Sequence, residues 1–214
     1  IFNMLGGQLR PDGGRVALDG NDITGLPPRR IWHLGVGRTF QIAQTFVSMT
    51  VIENVQMALI SQAGETRAVW PLTETLHRDA AMELLERVGV GTQAAQPCSE
   101  LAYGDVKRVE LAIALASTPK LLLMDEPTAG MAPRERSQLM ALVSGVARER
   151  GIGVLFTEHD MDAVFDHADF VLVLVRGEII ARGKPAEVRA DPLVREVYLG
   201  GAAPAGAEAR GAQR

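Results

Sequence analysis

The chain has 214 residues, of which 47% are hydrophobic and 22% charged, with a formal net charge of -4. This is enough for one large domain or a core with a subdomain, and the net negative charge argues against a general nucleic-acid binder, whose phosphate contacts need clustered Lys and Arg. The longest apolar run, residues 170–175, falls far short of the roughly 20 residues that span a bilayer, and the single cysteine, Cys98, excludes an internal disulfide and makes a reducing compartment the natural reading.

Residues 1–9 read as the end of a helix, loosened by Gly6-Gly7 and closed by the turn Pro11-Asp12-Gly13-Gly14. They lack the basic start and long apolar stretch of a signal peptide. Residues 15–20 read as a short strand closed by Asp19-Gly20, Pro27-Pro28 opens a short helix over 29–34, and 36–40 reads as another strand. Thr50 and Glu53 have the spacing of a capping box, with a helix following to about Ile60. After a looser stretch over 61–75, Ala81, Leu84, Leu85 and Val88 fall at i, i+3, i+4 and i+7, which predicts an amphipathic helix over 78–88 stopped by Gly89.

The composition changes after Leu101. Residues 108–116 are almost wholly apolar, as in a helix buried on most sides. Leu121-Leu122-Leu123-Met124 and residues 153–157 are the unbroken apolar runs of strands covered on both faces. Between them Pro133 suits a first helical position, Leu139, Leu142, Val143 and Val146 make one stripe, and Gly151 ends it. Strand, helix, strand is a βαβ unit, hence a parallel sheet in an α/β fold. Asp160 can cap a helix reaching 168, residues 170–175 and 178–181 flank Arg176-Gly177 as a hairpin, and two short helices begin at Pro185 and Asp191-Pro192. Residues 201–214 are Ala, Gly, Arg and Glu with few core formers and read as a disordered tail.

Chemistry concentrates where the buried strands end. Asp125-Glu126-Pro127 puts two carboxylates at a strand's carboxyl end, where open parallel sheets gather their ligands. One carboxylate can hold Mg²⁺ and its neighbour can take a proton from an attacking water; a solvated Asp-Glu turn reads equally well from these residues alone. Glu158-His159-Asp160 ends the next strand, so His159 lands beside the carboxylates if the strands are neighbours; alternatively Asp160 caps the following helix and His159 is incidental. Ala102, Tyr103, Gly104 and Asp105 precede the buried helix. Gly104 would let backbone N–H groups approach a phosphate, although Asp105 complements the helix dipole without any ligand, and for this motif in isolation that is the better reading.

In order, Phe40-Gln41, Leu101-Ala102-Tyr103-Gly104-Asp105, residues 121–127 and Glu158-His159-Asp160 resemble the ABC ATPase family. Gln41 matches that family's Q-loop, residues 101–105 its signature, 121–126 its Walker B strand with the catalytic glutamate, Ala129-Gly130-Met131-Ala132 its D-loop, and His159 its H-loop. Arg38-Thr39-Phe40-Gln41, residues 49–55, Leu101-Ala102-Tyr103-Gly104 and Val197-Tyr198-Leu199-Gly200 look most like its branched-chain amino-acid importer group.

The resemblance implies a RecA-like P-loop NTPase core from residues 1–41 and 101–200, with a helical subdomain inserted at 42–100. It implies ATP hydrolysis with Mg²⁺: Glu126 as general base, His159 and Gln41 placing phosphate and water, Asp125 and Gln41 serving the metal, and residues 102–105 serving a partner subunit's ATP. Permease subunits, a second ABC ATPase subunit and, indirectly, a substrate-binding protein are the implied partners, at the cytoplasmic face of the inner membrane. Three departures stand out. Ala102 replaces the usual signature serine, Ala132 replaces a polar D-loop residue, and no Gly-x-x-x-x-Gly-Lys-Ser/Thr loop occurs. Ile1-Phe2-Asn3 reads as the helix that follows such a loop, so the first strands and the Walker A loop are expected to be missing from these residues. The alternative from another class is a non-catalytic interaction module that dimerises without hydrolysing. A DNA-repair or translation ABC protein fits less well, because the chain has no coiled-coil insertion or tandem domain. The 214 residues alone should show no ATP turnover above background in a phosphate-release assay; turnover abolished by Glu126→Gln would contradict this.

Overall fold

A computed structural model describes residues 1–39, 45–65 and 75–198. It divides into two compact units, residues 1–159 and residues from 160 onward. The predicted strand end at Phe40, the expected Q-loop position Gln41, part of the looser stretch and the expected tail lie outside the described residues.

In the first unit the order is α1 (Phe2–Leu5), β1 (Ala17–Leu18), β2 (Asn21–Asp22), α2 (Pro28–His33), β3 (Val36–Thr39), α3 (Val51–Ala63), α4 (Arg78–Arg87), α5 (Tyr103–Leu115), β4 (Leu121–Asp125), α6 (Pro133–Arg150) and β5 (Gly153–Thr157). Strands β3, β4 and β5 form a parallel sheet in that order, with Leu123 opposite Leu155 and Asp125 opposite Thr157. The central strand is covered on both faces. Leu122 and Met124 join the side chains of α3, α4, α5 and α6, whereas Leu123 joins Phe2, Ile31 and Val36. Strand β5 follows the same alternation, Val154 and Phe156 going one way and Leu155 the other, as a period of two requires. Gly37 lets β3 lie close to α5: a Cβ there would stand 3.0 Å from the Ala114 carbonyl oxygen.

Several predicted boundaries move. Gly7, at φ 76°, ends the first helix early, so α1 stops at Leu5 instead of 9. Residues 15–20 contribute only the two-residue strand β1, which turns back onto β2. The apolar helix predicted from 108 begins at Tyr103, placing Gly104 and Asp105 inside its first turn. It also buries a charged pair, Lys107 Nζ to Glu110 Oε2 at 3.0 Å, both under 6% exposed. In a low-dielectric interior such charges survive only when paired.

The second unit contains α7 (Met161–His167), β6 (Val171–Val175), β7 (Glu178–Gly183), α8 (Pro185–Ala190) and α9 (Pro192–Tyr198). Asp160 caps α7 through its side-chain oxygen. The antiparallel hairpin β6–β7 packs Val171 and Val173 against Val188 and Val194. No helix among the described residues is long and apolar enough to cross a membrane.

The capping box at α3 is complete. Thr50 Oγ1 accepts from the Glu53 N–H, while the Thr50 N–H donates to Glu53 Oε2 at 2.7 Å. The Thr50 hydroxyl, donating to Glu53 Oε2 at 2.7 Å, and then the Thr50 N–H hold the Glu53 carboxyl below its ordinary range. Thr50→Ala should lower unfolding stability by about 1 kcal/mol, the usual worth of an N-cap, read as a lower urea midpoint at unchanged slope; no change would show that the cap is energetically idle.

Candidate functional site

Because β4 and β5 pair in parallel register, their carboxyl ends emerge side by side. Three consecutive residues leaving β5 grip residues leaving β4. Thr157 Oγ1 donates to Asp125 Oδ1 at 2.8 Å, and both the carbonyl and the hydroxyl oxygen of Thr157 accept from the Glu126 N–H, at 3.1 and 3.2 Å. Glu158 Oε1 accepts from the Thr128 N–H at 2.9 Å and from its hydroxyl at 2.7 Å. His159 Nε2 lies 2.7 Å from Glu126 Oε1. The histidine is open to solvent at 82% exposure while Glu126 is only a quarter exposed, so a wet ring meets a half-sheltered carboxylate.

Glu126 sits at φ 47°, a left-handed conformation disfavoured for a residue with a Cβ. Such outliers persist where their surroundings over-determine them, and they cluster at functional sites. The Ala129 N–H donates to the Glu126 carbonyl at 3.1 Å, closing a turn over Pro127 and Thr128.

Arg38, on β3, opens the Arg38-Thr39-Phe40-Gln41 run. The structure turns it inward. Its side chain is 11% exposed, its guanidinium donates to Asn3 Oδ1 and Gln8 Oε1, each at 2.8 Å, and it stands 4.0 Å from Asp125 Oδ2. It thus ties the chain around α1 to the tip of β4. Burial pulls its pKa down and Asp125 pulls it back up.

The residues 102–105 form the N-terminal turn of α5, with Ala102 as N-cap and no side-chain cap. Tyr103 is exposed and lies beside Gly130 and under Lys107 Nζ, which is 5.6 Å from its ring centre. Gly104 has no positive φ, and a Cβ there would meet Met131 and Glu135 at 3.5 Å or more, ordinary contact distances. Neither its backbone nor its own chain's packing therefore explains a glycine inside a helix. The site thus gathers Asp125, Glu126 and His159, with Thr157, Glu158 and Arg38 as supports that a reading of single motifs misses. Their signal is register: residues at matched positions after paired strands are neighbours.

After residue 44, Phe46 and Val47 are exposed by 59% and 62%, and Met49 is half-buried. The Asn54 side chain, itself buried, accepts from the Phe46 N–H at 2.8 Å and donates to the Phe46 carbonyl at 3.1 Å.

A fold of parallel strands ending in this carboxylate–histidine cluster defines an α/β nucleotide-binding cassette, and comparison with known proteins agrees. The family model described as ABC transporter matches residues 1–129, and that described as branched-chain amino acid ATP-binding cassette transporter matches residues 178–204. The chain belongs to the ABC transporter ATPases, an ATP-hydrolysing family. It is 37% identical over 208 residues to the high-affinity branched-chain amino acid transport ATP-binding protein LivG of Salmonella typhimurium, covering 94% of this chain and 81% of that one. With the same coverage it is 36% identical to BraF of Pseudomonas aeruginosa, which carries the same description. The lipopolysaccharide export system ATP-binding protein LptB of Haemophilus influenzae is 36% identical over 199 residues, covering 93% of this chain and 79% of its own. Among solved structures, a nucleotide-free ATP-binding cassette from an ABC transporter superposes with a TM-score of 0.79 at 32% identity, covering 94% of this chain and 82% of that one.

If packing within the chain makes no demand for glycine at 104, Gly104→Ala should raise unfolding stability by about 0.5 kcal/mol through helix propensity, measured by urea denaturation; a loss of stability would reveal an intrachain constraint.

Proposed function

We propose that this ATPase subunit energises import of branched-chain amino acids or related compounds, with Glu126 as general base and His159 as its orienting partner. The hydrogen bond between His159 and Glu126, at the paired tips of β4 and β5, carries the catalytic part. The cargo part rests on the match over 178–204 and on the names of LivG and BraF. Similarity to LptB, described as part of an export system, is nearly as high, so overall identity does not set direction and the import reading leans on those local matches.

In this mechanism Glu126 takes a proton from the water that attacks the γ-phosphate of ATP. His159, within hydrogen-bond reach of the same carboxylate, orients that carboxylate and contacts the phosphate. Among the described residues no group of three or more His, Cys, Asp or Glu could hold a metal. That fits Mg²⁺, which takes one or two protein oxygens and otherwise phosphates and waters. Asp125 would hold it, with Gln41; bound there it would neutralise phosphate charge. Gly104 and its neighbours 102, 103 and 105 would approach the ATP of a second ATPase subunit, which accounts for a glycine that its own chain does not require.

Residues 42–100 would form the helical subdomain inserted into a core from 1–41 and 101–200. The exposed Phe46 and Val47 would face permease subunits, themselves served by a substrate-binding protein, placing the subunit peripherally at the cytoplasmic face of the inner membrane.

With a Gly-x-x-x-x-Gly-Lys-Ser/Thr loop supplied ahead of Ile1, Glu126→Gln should lower ATP hydrolysis by about 10²–10⁴-fold while ATP binding persists. A parent-level rate in the variant removes Glu126 as the base. No turnover in the parent itself favours the non-catalytic interaction module.

A further inference from the structure

We propose that Glu158 is a positioning residue whose grip on Thr128 holds Glu126 in the conformation that meets His159; the inference rests on Glu126 being the base. Thr128 is 2% exposed, and a buried N–H and hydroxyl need partners. Both find the same atom, Glu158 Oε1, at 2.9 and 2.7 Å. Bonds to an ionised carboxylate are the stronger kind.

Between Thr128 and Glu126 stands Pro127, also buried, whose ring fixes φ. Little freedom is left in that short link, so anchoring Thr128 restrains the residue before the proline. From the other side, the Glu126 N–H is held by Thr157. Glu126 is therefore clamped at both ends in a left-handed conformation, φ 47°, that it would not hold unaided. Release of the Thr128 end lets the backbone relax and carries the carboxylate away from His159 Nε2, now 2.7 Å distant. Glu158 touches no reacting atom in this scheme. Its carboxylate acts only as an acceptor, so a glutamine oxygen can replace it.

The first test needs no nucleotide. In Glu158→Ala, amide hydrogen exchange should quicken at both Thr128 and Glu126, and the His159 ring ¹⁵N shifts should report loss of the Nε2 hydrogen bond; Glu158→Gln should restore both. Faster exchange at Thr128 alone, with Glu126 and His159 unmoved, overturns the inference.

The second test is kinetic, in protein supplied with the phosphate loop. Glu158→Ala should lower kcat roughly tenfold with KM for ATP within about twofold, as misplacement of a catalytic group does. Glu158→Gln should recover most of that loss. In the double variant, Glu126→Gln with Glu158→Ala, the rate should match Glu126→Gln alone, because the second residue acts only through the first. A full further tenfold loss in the double variant shows an independent role and overturns the inference. Should Glu158→Ala fail to fold, Thr128→Val, which keeps the N–H and loses the hydroxyl, should give a smaller loss of the same kind; unchanged kcat and unchanged exchange at Glu126 in that variant count against it. If Glu126→Gln keeps the parent rate, the assignment of the base has failed, whereas the exchange and ¹⁵N experiments still decide whether Glu158 holds Glu126.

Discussion

Strand β4 cannot slide. Leu122 and Met124 are committed to one apolar cluster and Leu123 to another. Moving the strand by one residue would send every side chain to the opposite face and drag Asp125 toward the core, where an unpaired carboxylate is costly. Strand β5 is fixed by the same alternation, so Asp125 stays opposite Thr157. The two strand tips are thus brought side by side by packing far from them, and the hydrogen bonds beyond the tips set the conformation of the residues that follow.

Around that tip the chain spends unusual conformations and buried polar groups. Glu126 is left-handed, Thr128 is buried with a carboxylate as its acceptor, and Arg38 is buried among oxygens of the chain around α1 and of Asp125. Each is disfavoured alone and engaged by a neighbour. Polar groups interlocked in this way specify one arrangement more sharply than an apolar cluster of equal size, because a half-satisfied alternative leaves a buried donor or acceptor without a partner.

Much of this was legible in the sequence where local chemistry and tertiary role agree. The apolar runs of β4 and β5, the Thr50–Glu53 box, and the Pro133 start and Gly151 stop of α6 all speak through neighbouring residues. The misses have one physical source: partners distant in sequence. Tyr103-Gly104-Asp105 reads as the approach to the buried helix, because glycine weakens a helix, yet it is already the first turn of α5. Nothing in the local sequence marks Lys107 and Glu110 as a buried pair. Glu158 shows nothing of Thr128, thirty positions away, and Arg38 shows nothing of Asn3 and Gln8. His159 was found because two strand ends were compared, and the same comparison applied to Thr157 and Glu158 yields their partners too.

The two-point hold of Asn54 on the backbone of Phe46 has a consequence for association. An exposed aromatic side chain on a slack loop must be immobilised before it can be covered, and that lost freedom weakens binding. Here the N–H and the carbonyl of Phe46 are both already engaged by a buried side chain, so its backbone is ordered in the free protein. A permease surface docking there, as proposed above, would have only a side-chain rotamer left to restrict, and apolar contact with Phe46 would be converted into affinity with little entropic loss.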